Sequence, residues 1–114
     1  MNYLLQTVIS ERYDFIPASD VFQGMNELKR KSEIELVIID VDYHTPDSWN
    51  FIQHIKTSRL YQDKQIIVLI NGESRKVNEK SPEAKNYNFF YKPFSPLDMI
   101  KTIDELMLAS TIEN

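Results

Sequence analysis

The chain predicts an α/β domain with a parallel sheet. Short apolar runs of strand length alternate with segments of helical period, and two of the runs, Leu36 to Ile39 and Ile66 to Ile70, are nearly continuous rather than alternating. Unbroken apolar runs rich in β-branched residues are the signature of parallel strands covered on both faces. Length and composition agree: 114 residues leave room for one domain, and 42% apolar against 26% charged residues, with two Gly and five Pro, is the balance of a folded globule.

Leu4, Leu5, Val8 and Ile9 fall at helical spacing, and Tyr13 to Ile16, stopped by Pro17, reads as a short strand of alternating character. Ser19 or Asp20 can cap a second helix, with Val21, Phe22, Met25 and Leu28 expected on one face and Gly24 as a weak point. The Lys29-Arg30-Lys31 run suits its C-terminus. Leu36 to Asp40 is the next strand, and it ends in a carboxylate. A polar loop leads to a helix begun by Asp47 or Ser48, with Trp49, Ile52 and Ile55 on one side, and then to the strand Ile66 to Ile70. The polar run Glu73 to Asn86, broken by Pro82, supports only a short helix. Phe89 to Tyr91 is a further strand, and Ser95-Pro96 places a cap and a first-turn proline before a last helix with Met99, Ile100, Ile103 and Leu106 inward. Strands alternating with helices in this way imply crossover connections of one hand.

The absence of Cys excludes disulfides, thiolate chemistry and sulfur-ligated metals. No apolar run approaches membrane-span length and no signal-type core follows Met1, so a cytoplasmic, soluble protein is expected. Thirteen basic against 17 acidic residues give a net charge of −4, which argues against a nucleic-acid surface. A protein or a small ligand is the expected partner.

In open α/β sheets, sites form at the carboxyl ends of the strands. Three such ends carry Asp40, Ile70-Asn71 and Lys92-Pro93-Phe94. A carboxylate facing a lysine ammonium there can act as a nucleophile toward a phosphoryl group, the lysine pairing the arriving charge.

The strand Leu36-Val37-Ile38-Ile39-Asp40 together with Lys92-Pro93-Phe94 resembles the receiver domain of two-component response regulators. Ile70 stands 30 positions after Asp40 and Lys92 stands 22 positions after Ile70, matching the family's intervals without a gap. The resemblance implies a single receiver-like domain over residues 1–114, with a flavodoxin-like parallel sheet and helices on both faces. It places Asp40 at the phosphoacceptor, Lys92 against the phosphoryl group, and Ile70 and Phe89 at the two switch positions. It also implies Mg²⁺, if the domain is phosphorylatable, held by Asp40 and by the main chain at Asp42. The implied partners are a histidine kinase or phosphotransfer protein and a downstream protein, with neither nucleic acid nor membrane.

Departures from the family shape the functional expectation. The resemblance begins within the family's first helix, near Asn2-Tyr3-Leu4-Leu5, so the first strand and its Mg²⁺-holding acidic pair are expected to be missing, an N-terminal truncation. Loss of that strand leaves ladder groups to be satisfied, either by pairing Tyr13–Ile16 with Leu36–Asp40 or by a second copy of the chain as a homodimer. Ile70 stands in place of a Ser or Thr and cannot donate a hydrogen bond, and Asn71, one residue along, is expected to point to the other face. Phe89 lacks a hydroxyl, and Tyr43 to Ser48 replaces the family's usual loop. The expectation is a degenerate receiver that docks a partner protein and turns over no substrate. The alternative is an active phosphoacceptor.

Simpler roles stand beside these. Asp40 can be a strand-end residue tying the next turn, Lys92 an ordinary solvated lysine, Asp42 and His44 solvated loop groups rather than metal ligands, and Trp49 with Phe89 to Tyr91 core packing. Asp40-Val41-Asp42 also resembles the Asp-x-Asp of haloacid-dehalogenase-like phosphatases, but His44 stands where that family has Thr or Val and the length leaves no room for a cap.

Overall fold

A computed structural model of the chain describes residues 3–31, 33–42, 45–72 and 88–113. They divide into two compact units, one from Ala18 to Pro93 and one that joins the chain before Ala18 to the chain after Pro93.

Among the described residues, the first unit holds a three-stranded, wholly parallel sheet in the order β1 (Leu36–Asp40), β2 (Gln65–Asn71), β3 (Asn88–Lys92), with α2 (Val21–Arg30) and α3 (Thr45–Thr57). The α/β class and the parallel sheet expected from the apolar runs are therefore present. Register pairs Ile39 with Val68 and Val68 with Phe89, so one face carries Val37, Ile39, Val41, Ile66, Val68, Ile70, Phe89 and Tyr91. Those residues pack with Leu28 and Met25 from α2 and Ile52, Ile55 and Trp49 from α3. Ile52, Ile55 and Val68 are completely buried, which makes this face the core of the unit. Ile67 and Leu69, buried as well, point to the opposite face, which explains why the β2 run is continuous.

Local chemistry sets the helix boundaries. Asp20 caps α2 by accepting from the Gln23 amide at 2.8 Å, while the Gln23 side chain accepts from the Ser19 amide and hydroxyl at 2.7 and 2.8 Å. Lys29 and Arg30 occupy the last turn, and Arg30 pairs with Glu27 at 2.8 Å. Two expectations need correction. Phe22 is 75% exposed and does not share the core face, because at about 100° per residue it lies well away from Val21, whereas Met25 and Leu28 fall close to it. The helix α3 begins at Thr45, not at Asp47 or Ser48, since Pro46 fits a first turn and extends it backwards. Ser48 is consequently a buried helical residue.

The second unit contains α1 (Tyr3–Ser10) and α4 (Pro96–Glu113). Ser95 caps α4 through its side-chain oxygen, which accepts from the Leu97 amide at 3.2 Å, and Pro96 opens the helix as expected. Met99, Ile100 and Ile103 are buried and Leu106 is half-buried. After α1 the chain does not form the expected strand: Tyr13 to Ile16 is irregular, and among the described residues β1 pairs with β2 alone. The Tyr13 amide is still turned back to the Ile9 carbonyl at 3.0 Å, and the Tyr13 hydroxyl donates to Asp104, which also pairs with Arg12 at 2.9 Å. Alternation without a neighbouring ladder is not enough to make a strand. Burial, then the Asp104 hydrogen bond, raises the pKa of the Tyr13 phenol.

The expected short helix within Glu73–Asn86, the side chains of Leu4 and Leu5, and Tyr43 and His44 lie outside the described residues. Among the described residues no helix is long and apolar enough to cross a membrane.

Candidate functional site

The site lies at the carboxyl end of the sheet, within the first unit. Asp40 is the last residue of β1; the ladder runs one residue further, the Val41 amide donating to the Leu69 carbonyl at 3.1 Å, and the chain then turns. Asp40 ties that turn itself, its Oδ1 accepting from the Asp42 amide at 2.9 Å. Its other oxygen, Oδ2, accepts from Lys92 Nζ at 2.9 Å. The same ammonium lies 2.7 Å from Asp42 Oδ2. Asp40 thus plays both the turn role and the role of a carboxylate facing lysine, one oxygen for each.

Register explains how a lysine two strands away reaches that carboxylate. Asp40, Leu69 and Phe90 form one row across the sheet, and Asn71 and Lys92 form the next on the same face. Neighbouring strands are about 4.8 Å apart, so β3 is about 10 Å from β1, a gap that the Lys92 stem bridges over β2. The backbones close up at this end: a Cβ on Gly72 would stand 3.0 Å from the Lys92 carbonyl oxygen, too tight for most side chains. Sequence reasoning missed Gly72, although an Asn-Gly pair after an apolar run was the available signal. The Lys92–Pro93 peptide bond is cis.

All three charged side chains are partly shielded, at 31% exposure for Lys92, 20% for Asp40 and 29% for Asp42. Partial burial pulls the Lys92 pKa down, but hydrogen bonds and charge attraction from Asp40 and Asp42 outweigh it, and the net shift is upward. The lysine is held firmly as an ammonium between two carboxylates.

Of the positions expected from the sequence, the structure brings together Asp40, Asp42 and Lys92. Ile70 and Phe89 it does not: both sit on the α2/α3 face, Ile70 at 5% exposure in the core and Phe89 packed against it, its ring stacked with Tyr91 at 6.0 Å. The residue at the end of β2 that shares the face of Asp40 and Lys92 is Asn71, contrary to the expected orientation. A one-residue shift along a strand exchanges the two faces, and only the ladder fixes which residue points where.

The oxygens of the trio are largely engaged by the protein itself. A hard dication wants carboxylate and carbonyl oxygens free to coordinate it. Here the ammonium already engages one oxygen of each carboxylate, and the second oxygen of Asp40 is taken by a backbone amide. Among the described residues no group of three or more His, Asp or Glu side chains could hold a metal ion. Chemically, the cluster is a compact ion triad of net charge −1 that locks two strand ends together and presents a mildly acidic rim. No family model and no curated protein matches the chain.

Proposed function

We propose that the chain is a degenerate receiver-type signalling domain that docks a partner protein without being phosphorylated. The observation that carries the reading is the position of Lys92 Nζ, 2.9 Å from Asp40 and 2.7 Å from Asp42. An aspartate and a lysine joined at the carboxyl ends of parallel strands are the two groups that receiver chemistry needs, and their presence supports descent from that architecture. The second carboxylate argues for loss of the switch. Lys92 is shared with Asp42, so an incoming phosphoryl group would have to compete for it. With Ile70 turned into the core, its side chain supplies no contact beside Asp40 to report such a group.

In this reading the protein is cytoplasmic and turns over no substrate, and its output is a contact with a downstream protein. The alternative is an active receiver, in which a histidine kinase or phosphotransfer protein phosphorylates Asp40 with Mg²⁺. Intact mass after incubation with a small phosphoryl donor and Mg²⁺, beside Asp40→Asn, separates the two. The docking reading predicts no adduct on folded protein; an adduct on the parent chain that is absent from the variant establishes the active one.

A further inference from the structure

Large apolar side chains in open solvent are common singly, and they carry information when they share a face. Two of the exposed leucines lie on one helix: Leu97, 74% exposed, and Leu108, 62% exposed, both on α4. Eleven residues is very nearly three helical turns, so they stand within about 20° of each other around the axis and about 16 Å apart along it. Between them, on the same exposed stripe, are Lys101 and Glu105. The opposite side of the helix is where Met99, Ile100 and Ile103 are buried. Asp104, at the border of the stripe, is engaged by Arg12 and Tyr13.

The order of this stripe, Leu, Lys, Glu, Leu, is its own complement when read backwards. In an antiparallel pair of identical helices related by a twofold axis near residue 103, Lys101 of each copy faces Glu105 of the other, and Leu97 of each lies beside Leu108 of the other. A parallel arrangement would set lysine against lysine and glutamate against glutamate.

We propose that α4 is a self-association surface, and that its occupant is α4 of a second copy of this chain in antiparallel, twofold contact. The surface lies on the solvent face of the last helix and is independent of the chemistry at Asp40. The sequence expectation also included a homodimer, but through a sheet edge; here the self-complementary pattern is on α4. Four leucines and two reciprocal ion pairs make a patch smaller than the roughly 1,600 Å² of a standard stable interface, so the dimer forms and dissociates with concentration.

The test is sedimentation velocity of the full chain from about 10 to about 500 µM, a range suited to a small interface. Wild type should shift toward dimer as concentration rises. Leu108→Glu should weaken association by about tenfold or more, because it places a charge where the partner offers leucine. Lys101→Glu should weaken it by about fivefold, and Lys101→Glu combined with Glu105→Lys should restore it to within about twofold, since the reciprocal pairs are rebuilt with reversed sign. All the altered side chains are exposed, so unchanged circular dichroism and melting temperature separate lost association from lost folding. A strictly monomeric wild type across the range overturns the proposal. So does a dimer indifferent to Leu108→Glu, or one that the double reversal leaves as weak as the single.

Discussion

Lys92 is the residue on which most of the site depends. Replacing it by Met leaves two carboxylates facing each other without an ammonium, and because all three groups are partly in solvent the cost should be modest, about 1 kcal/mol at neutral pH. The contribution has a definite pH signature. The folded pKa lies above the ordinary 10.5, so the fold binds this proton more tightly than the unfolded chain does. The stabilisation is therefore complete below about pH 10.5 and is lost as pH rises through the folded value. Urea titrations should show a steady gap between wild type and Lys92→Met up to about pH 10 that closes above it. A gap that widened with alkalinity would contradict the triad. Gly24 offers an independent check in α2: a Cβ there would meet the Phe51 ring at 3.5 Å, an ordinary contact, and its helix is otherwise regular. Gly24→Ala should accordingly stabilise the protein by about 0.5–1 kcal/mol, read from the urea midpoint.

Elements were legible in the sequence wherever two independent signals coincided. The Asp20 cap and the basic last turn marked α2, Ser95-Pro96 marked the start of α4, and the apolar runs marked β1 and β2. Where only alternation spoke, as at Tyr13 to Ile16, no strand formed, because the pattern contains no information about a neighbour to pair with. The site was legible in part for the same kind of reason. Strand-end position and spacing selected Asp40 and Lys92, but which side chain at the end of β2 faces them depends on register, and a pattern apolar on both faces does not encode it. The placement of Ile70 in the core has a direct consequence. Ile70→Thr puts a hydroxyl into the core cluster that holds Val41, Val68 and Ile52 rather than beside Asp40, so it should destabilise the fold by about 1–3 kcal/mol and leave the response to phosphoryl donors unchanged. A variant that folds as well as wild type and begins to accept a phosphoryl group would place residue 70 beside Asp40 and contradict this core position.

For the molecule as a whole, the proposed docking function requires that the carboxyl end of the sheet keep one state, with Lys92 held between Asp40 and Asp42. A domain that does switch must bind the phosphoryl group, or its mimic, better in one conformation than in the other. The most direct measurement is a two-dimensional amide spectrum of the folded chain recorded while Mg²⁺ and beryllofluoride, a mimic of an acyl phosphate, are added together. A docking domain without a phosphorylation switch shows no saturable shift of the amides of Asp40, Asp42, Asn71 or Lys92. Saturable shifts at those amides that spread along β3, and that vanish in Asp40→Asn, would contradict it and establish a working phosphoacceptor.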